Sequence, residues 1–254
     1  SNNRSDIDFN EILESAFNIF NDKFDTEHGG FKGSRNKFPK PHDYSFLVRY
    51  YNKTKNEKSL NIVNKSLYEM KKGGIYDQIG FGFHRYSTDK KWLVPHFEKM
   101  LYDQALLIHA YLDAYLVTKD EFYSNTIHEI IEYLQREMLS DNGGFYSAQD
   151  ADTKGEEGLY YIWDLSEGGL EFNLSDDDFK FIKYILNLKN DGNCKVEGKM
   201  TNIPYFDKNW HDISEDLGED EVLIKSRFHR IRKEIFDKRN LRIHPQKDDK
   251  ILTD

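Results

Sequence analysis

The sequence predicts an all-α protein of the α/α-toroid class, in which helical hairpins form a ring around a central cavity. Three observations predict it. Apolar residues recur at helical spacing in seven segments, and the connections between segments alternate between short and long. The long connections each begin with a glycine pair followed by an apolar or aromatic residue, which indicates a repeated helical hairpin.

The seven predicted helices follow one another with little room for a sheet between them. Each carries apolar residues at the i, i+3, i+4 spacing that marks one helix face. In chain order they span residues 7–24, 43–51, 60–70, 97–117, 122–138, 177–188 and 222–236. Ser175 and Asp176 precede the sixth helix and are suited to cap its first turn.

The connections predict where a ligand site would lie. Residues 52–57 and 118–120 are short turns, whereas the loops that begin at Gly29-Gly30, Gly73-Gly74 and Gly143-Gly144 are long. Glycine permits the positive φ that a helix C-terminus needs. In a hairpin repeat the long loops gather at one mouth of the ring, where the concave surface is. An open α-solenoid of the tetratricopeptide kind is the alternative fold, but its turns are short and regular.

Strand-like alternation occurs only inside the long loops. Residues 81–86 and 159–163 alternate in the way that predicts small β-hairpins over one face of the molecule.

Composition excludes several classes of function. The net charge is −9 and the pI about 5.5, which disfavours a nucleic-acid or anionic-membrane partner. The basic stretch 225–242 has acidic neighbours and is interpreted as a solvated helix face. No apolar run approaches the length of a membrane span. A single cysteine, Cys194, cannot form a disulfide within the chain, and we expect a cytoplasmic protein.

The second long loop carries candidate proton-transfer residues. His84 and Arg85 lie in its alternating segment, and His96 and Glu98 follow Pro95 at the predicted start of the fourth helix. A histidine near a carboxylate can transfer protons. Equally, each histidine could be a buried, hydrogen-bonded imidazole that holds the loop. The spacing matches no compact zinc motif, so no metal is expected.

The third long loop carries four carboxylates within eight residues. Asp150, Asp152, Glu156 and Glu157 lie between the aromatic pairs 145–146 and 160–161. Paired carboxylates beside aromatic rings are typical of glycosyl chemistry. A solvated turn and a calcium loop are the alternatives, and the calcium-loop pattern is incomplete.

Four segments of the chain resemble the family typified by spermatogenesis-associated protein 20. They are the glycine-rich segment 73–77 and the segments 82–89, 92–103 and 147–152. Members pair an N-terminal thioredoxin-like domain with an (α/α)6 toroid similar to N-acylglucosamine 2-epimerases and six-hairpin glycosidases. The resemblance implies a carbohydrate-related role, although the reaction of the family is not established. No thioredoxin-like region precedes residue 4, so no redox role is assigned.

Other departures from the family concern loop shape and chain length. Phe81 stands where the family usually has glycine, and Lys154 where it has an acidic residue. Ser1 to Asn3 is interpreted as an expression scar, and residues 4–254 as a partial toroid. Because residues 248–254 match a segment that further helices follow, we expect about half of the ring.

A half ring would leave its first and last hairpins without neighbours. Apolar side chains such as Phe17, Phe20, Ile231 and Ile235 would then face water, and self-association or the missing C-terminal half would cover them.

The resulting hypothesis is an epimerase- or glycosidase-like enzyme domain acting on a sugar-like small molecule, with no cofactor. A non-catalytic carbohydrate- or protein-binding module is the alternative. The candidate catalytic residues are His84, His96, Glu98, Asp150 and Asp152. The candidate substrate-binding residues are Tyr76, Arg85, Tyr86, Trp92, Asp103 and Tyr160. Epimerase chemistry would depend most on the histidines, and hydrolysis on Asp150 and Asp152.

Overall fold

The computed structural model describes residues 8–165 and 172–251. Its helices in this part of the chain are α1 (Phe9–Lys23), α2 (Pro41–Thr54), α3 (Glu57–Lys72), α4 (Leu101–Thr118), α5 (Glu121–Tyr133), α6 (Asp176–Ile185), α7 (Trp210–Leu217) and α8 (Glu221–Arg239). A π-helical turn, Leu134–Met138, extends α5. All seven predicted helices are present, and α7 is the one that periodicity missed. It has only eight residues and buries only Ile213.

Helices α1 to α5 form two layers. Helix α2 packs on α4, while α3 packs on α2, α5 packs on α4, and α1 contacts both α2 and α3. Tyr111 of α4 connects the two layers by donating to Leu67 O of α3, and Tyr123 of α5 donates to Asn64 Oδ1 of α3 within one layer. Alternation of consecutive helices between two layers is the architecture of an α/α toroid, and the predicted fold class is confirmed.

The core between these layers contains side chains with almost no exposed surface. Leu47, Val63, Leu67, Leu107 and Ala110 are all fully buried. Alanine at position 110 keeps the backbone of α4 close to its neighbours, because a larger side chain would hold the helices apart.

Short strands occur in the long loops. They are β1 (Tyr86–Ser87), β2 (Pro95–His96), β3 (Lys99–Met100), β4 (Tyr146–Gln149), β5 (Asp152–Thr153), β6 (Glu156–Glu157), β7 (Cys194–Val196), β8 (Lys199–Thr201) and β9 (Lys247–Ile251). Strands β1 and β2, β5 and β6, and β7 and β8 form antiparallel pairs, and β3, β4 and β9 form an antiparallel sheet.

Strand pairing brings all three glycine-led loops to the same end of the helices. Lys37 of the first loop forms a bridge with Ser87 of the second. Lys99 at the end of the second loop pairs with Gln149 of the third. The prediction that the long loops gather on one side of the helices is therefore confirmed by hydrogen bonds between the loops themselves.

Two local predictions are wrong. Residues 97–100 were expected to open the fourth helix, but they are extended, because Glu98 O accepts from Arg85 N and β3 pairs with β4. Residues 159–162 were expected in a hairpin, but they form a turn in which Arg242 Nη1 donates to Tyr160 O and Ile162 O. Tertiary partners override local alternation in both segments.

Residues after the third loop build a second core. Trp163, Phe181, Ile182, Ile224 and Ile231 pack there among α6, α7 and α8. The expectation of a water-facing apolar patch at Ile231 and Ile235 is wrong, because both are completely buried in this core. Phe17 is buried as well and stacks on Tyr50. Self-association stays a prediction, but these buried side chains do not provide the exposed apolar patch on which it was based.

Phe81 and Lys154 keep the backbone shape that glycine would favour. Their φ angles are +68° and +56°, in the left-handed region that residues other than glycine seldom adopt. The Phe81 ring is buried and lies 4.2 Å from the Arg232 guanidinium. Packing of this ring offsets the strain of its backbone.

Candidate functional site

The extended segment from His96 to Lys99 sorts its side chains onto two sides. Successive side chains of a strand point in opposite directions. His96 and Glu98 accordingly lie on a half-exposed side, whereas Phe97 and Lys99 are buried. This one segment supplies two polar groupings of different character.

The half-exposed grouping, termed here the loop cluster, consists of Arg85, His96, Glu98, Asp103 and Glu157. His96 lies between two carboxylates: its Nδ1 is 2.7 Å from Glu157 Oε1, and its Nε2 is 3.8 Å from Glu98 Oε2. Because a carboxylate accepts hydrogen bonds, the short contact places the imidazole proton on Nδ1. The neutral ring then has its basic nitrogen, Nε2, on the side of Glu98.

Arg85 and Asp103 complete the loop cluster. Arg85 Nη1 donates to Glu98 Oε2 at 2.7 Å. Burial raises the pKa of Asp103 to about 7, a rise that Arg85 opposes and Glu98 favours. Asp103 Oδ2 is buried and has no hydrogen-bond partner among the described residues. Near neutral pH this carboxyl is poised between its protonated and ionised forms.

Aromatic rings flank the loop cluster. Tyr86 stacks on the His96 imidazole with 5.0 Å between ring centroids, and Phe38 lies 4.8 Å from Tyr86. Phe38 and Tyr102 are each 43% exposed, so their faces are open to a ligand. Half-exposed rings beside charged groups suit molecules with both apolar and polar faces.

The buried grouping, termed here the buried ion network, consists of Asp77, Lys99 and Arg239. Arg239 donates two parallel hydrogen bonds of 2.8 Å to the two Asp77 oxygens, and Lys99 Nζ donates to Asp77 Oδ2 at 2.9 Å. Lys99 also donates to Phe81 O. Exposure is 4% or less for each of the three side chains.

Burial and charge act in opposite directions on this network. Burial lowers the pKa of Lys99 to about 8, although Asp77 opposes the shift. Burial alone would raise the pKa of Asp77, but Arg239 and Lys99 hold it well below its ordinary value. The Lys99 ammonium also lies 4.5 Å from the Tyr133 ring centroid. Two cations and one anion in a closed site are suited to holding chain segments together.

His84 belongs to the interior, next to the buried ion network. Its Nδ1 lies 2.8 Å from Phe97 O, and its ring meets those of Phe97 and Tyr161 edge to face. Burial, together with the nearby Lys99 cation, keeps its pKa well below the ordinary value, so the ring stays neutral. His84 therefore fixes the strand between His96 and Glu98 without facing the loop cluster.

Asp150 and Asp152 lie exposed in the third loop. Asp150 N donates to Gln246 O, and Asp152 N lies 3.3 Å from Asp150 Oδ1. Asp152 pairs across the β5–β6 hairpin with Glu157. The hairpin thus connects these carboxylates with the loop cluster, but it is Glu157 that contacts His96.

Tyr76, Trp92 and Tyr160 are candidate substrate-binding residues that the fold buries. Tyr76 OH donates to Glu129, Trp92 Nε1 donates to His28 O, and Tyr160 OH donates to Asn240. None of the three is more than 4% exposed. Their contacts join helices and loops away from the loop cluster.

Sequence reasoning missed the roles of Glu157, Asp77 and Arg239. Glu157 was counted among the acidic residues of the third loop, and its place between Gly155 and Gly158 offered a weak signal of a tight hairpin. Asp77 and Arg239 are 162 positions apart, and no local pattern links them. Across residues 8–165 and 172–251, no three His, Cys, Asp or Glu side chains are arranged to hold a metal ion.

None of the helices within these ranges is both long and apolar enough to cross a membrane.

Comparisons with known proteins identify relatives of part of the chain. Spermatogenesis-associated protein 20 of Homo sapiens is 44% identical over 166 residues, which are 61% of this chain and 21% of that protein. Its Mus musculus counterpart is 41% identical over 162 residues, 60% of this chain and 20% of that protein. The chain thus spans about a fifth of the length of these relatives. No protein-family model matches.

Among solved structures, a sugar epimerase from a ruminal bacterium has a TM-score of 0.49 and 17% identity, covering 95% of this chain and 76% of that one. The sequence identity to the Homo sapiens relative, 44%, is much higher than the 17% identity to this epimerase. The resemblance that the glycine-, histidine- and aspartate-containing motifs predict is confirmed: this chain is similar to spermatogenesis-associated protein 20 over three-fifths of its length.

Proposed function

We propose that the loop cluster is an acid–base site for a sugar or sugar-like carbonyl compound, with epimerase-like rather than hydrolytic chemistry. The observation that carries the proposal is the arrangement of His96. Its Nδ1 is held by Glu157 while Nε2 lies beside Glu98, in the same cluster as Asp103 with its raised pKa. A base and a protonated acid in one site are what proton transfer next to a carbonyl needs.

The proposed reaction assigns one task to each group. His96 Nε2 removes the proton from the carbon next to the carbonyl, and the C–H electron pair moves toward the carbonyl carbon. Protonated Asp103 donates to the carbonyl oxygen, which gives a neutral enediol. The enediol then turns its other face toward protonated His96, which returns a proton to the carbon from that face, and the oxygen proton goes back to Asp103. The centre is inverted and both groups are restored.

The remaining groups have binding and positioning tasks. Phe38, Tyr86 and Tyr102 offer ring faces for the apolar C–H patches of a sugar. The Arg85 guanidinium, 39% exposed, can donate to sugar hydroxyls while it stays paired with Glu98. Glu157 is a positioning residue, because it fixes the tautomer and orientation of His96.

Hydrolysis by Asp150 and Asp152 receives less support. Both side chains are solvent-exposed, and the contact between the two residues is a local turn in which Asp152 N donates to Asp150 Oδ1. A general acid for glycoside cleavage needs a raised pKa, which a less solvated setting produces. A non-catalytic binding module would use the same aromatic rings but would not need the proton-transfer groups.

The test is incubation of the full-length protein with a panel of reducing sugars in D2O, followed by NMR. We expect deuterium at the carbon next to the carbonyl for at least one sugar. His96→Gln and Asp103→Asn should abolish its incorporation, whereas Glu156→Gln, one residue from Glu157, should not. Binding without exchange would favour the binding module. Glycoside cleavage that is lost only in Asp150→Asn or Asp152→Asn would favour hydrolysis.

A further inference from the structure

A second cleft lies on another part of the molecule. Its volume is about 690 Å³, and it opens between α3 and α5 on one side and α7 and α8 on the other. Six of its lining residues supply charged groups or aromatic rings to the cleft: Lys71, Glu129, Phe206, Trp210, Phe228 and Arg232. No residue of the loop cluster lines it. Its volume is that of a site for a small organic molecule.

The cleft has a cationic group of side chains. Lys71 Nζ lies 2.9 Å from Glu129 Oε2, and Arg232 Nη1 lies 3.4 Å from Glu129 Oε1. The two cations are only 16% and 18% exposed, and Glu129 is 22% exposed. One carboxylate therefore balances two largely desolvated cations, and Tyr76 OH already donates to that carboxylate. A net positive charge remains there.

Arg232 has donors to spare. Within residues 8–165 and 172–251, its one hydrogen bond is the long contact with Glu129. A guanidinium offers five N–H donors, and Phe81 covers one of its faces. Burial, with the Arg232 cation close by, lowers the pKa of neighbouring His229, so that ring adds no charge of its own near neutral pH.

Aromatic rings form a wall of the cleft. Trp210 meets Phe206 and Phe228 edge to face, with 5.2 Å between ring centroids in each pair. Trp210 and Phe206 are half-buried, so part of each ring is open to the cleft. A flat apolar body fits beside such rings.

Charges at the rim largely have partners of their own. Glu132 pairs with Arg136, Glu221 pairs with Lys225, and Asp120 caps α5. The lining cations Lys72 and Lys208 likewise pair with Glu69 and Asp216. Each of these ion pairs is neutral in sum, so it contributes little net field to the cleft. The desolvated excess at Lys71 and Arg232 therefore dominates the choice of ligand.

We infer that this cleft binds a small organic anion, in which a carboxylate or phosphate group is attached to a flat ring. The anionic group meets Lys71 and Arg232, and the ring packs beside Trp210 and Phe206. This site is independent of the proposed acid–base chemistry, because it shares no residue with the loop cluster.

The test measures binding of phenyl phosphate by calorimetry and by tryptophan fluorescence. Trp92 and Trp163 are at most 1% exposed, so the change should come from Trp210 and vanish in Trp210→Phe. Binding of phenol measures the contribution of the ring alone, and binding of inorganic phosphate measures that of the anionic group alone. Benzoate shows whether a carboxylate is accepted in place of a phosphate. We expect phenyl phosphate or benzoate to bind more tightly than either phenol or inorganic phosphate.

Charge variants give effects of opposite sign. Arg232→Gln should weaken binding about tenfold or more, and Lys71→Gln serves the same purpose if that variant does not fold. Glu129→Gln keeps an acceptor for Tyr76 but removes the balancing charge, so binding should tighten. Lys233→Gln, next to Arg232 in the sequence but exposed and outside the cleft lining, should change affinity less than about twofold.

Several results would overturn the inference. One is that neither phenyl phosphate nor benzoate binds at millimolar concentration. Another is that phenol binds as tightly as the anions. A third is that the wild type and Arg232→Gln bind the anions with equal affinity. Weaker binding by a folded Glu129→Gln variant would also overturn it, because it would make the Lys71–Glu129–Arg232 contacts purely structural.

Discussion

The loop cluster and the buried ion network share one short strand but differ in solvation. Glu98 and Lys99 are adjacent, yet the Glu98 side chain is 23% exposed and the Lys99 side chain 1% exposed. In the network, the Asp77 carboxylate is paired with both cations by contacts of 2.9 Å or less. In the loop cluster, Asp103 keeps an oxygen without a partner among the described residues.

This difference in solvation indicates which of the two groupings can transfer protons. A closed network of short ion pairs stabilises one arrangement and resists any change of protonation, because each neutralised partner leaves another charge buried. A half-exposed cluster with a carboxyl near its titration point can exchange protons at little cost. The buried side of residues 96–99 therefore stabilises the fold, and the half-exposed side carries the groups suited to proton transfer.

The largest expected effect comes from breaking the buried ion network. Asp77→Asn leaves Lys99 and Arg239 buried without their carboxylate and should lower the free energy of unfolding by about 3–5 kcal/mol. Urea denaturation measures the loss. Glu98→Gln on the other side of the strand is the matched control and should lower it by about 1 kcal/mol or less. Similar losses in both variants would contradict the contrast between the two groupings.

A second expected effect concerns the pH dependence of stability that Asp103 contributes. The pKa of Asp103 is raised to about 7, above the ordinary value of 3.8. Between these values the unfolded chain releases the proton while the folded chain keeps it. The contribution of Asp103 to stability is therefore present below pH 4 and is lost as pH rises to 7.

Asp103→Asn should remove that pH dependence, so the variant gains stability relative to the wild type as pH rises from 4 to 7. Urea denaturation at several pH values, compared between the two proteins, measures it. A stability difference that stays constant over this range would show that Asp103 titrates at its ordinary pKa.

A smaller effect tests the link between the second and third loops. Glu157 Oε1 accepts from Phe97 N at 3.3 Å and contacts His96 Nδ1. Glu157→Ala should cost about 1 kcal/mol and speed amide exchange at Phe97. Glu156→Ala removes only an exposed contact with Lys199 and is the matched control. Equal exchange at Phe97 in both variants would mean that Glu157 does not hold the loops together.

The smallest effect is expected at Asp150. Its side chain is exposed, and Asn can still accept from Asp152 N, so Asp150→Asn should change the free energy of unfolding by about 0.5 kcal/mol or less. The same denaturation measurement checks this. A large loss would reveal a structural task that its described contacts do not explain.

Local sequence patterns were sufficient to predict most of the helices and the turns between them. Apolar periodicity is a property of each local segment, so α1 to α6 and α8 could be predicted, and glycine pairs marked the long loops. Periodicity failed for residues 97–100, which would suit a helix alone but pair with β4 in the folded chain. It also missed α7, whose eight residues bury a single side chain.

Which polar residues contact one another depends on the tertiary fold. His96 and Glu157 are 61 positions apart, and Asp77 and Arg239 are 162 apart. Loop closure and strand pairing bring such residues together, and neither leaves a local sequence pattern. The degree of burial then determines what the charged side chains do. Where water is excluded they form ion pairs that stabilise the fold, and where it is not they are candidates for proton transfer.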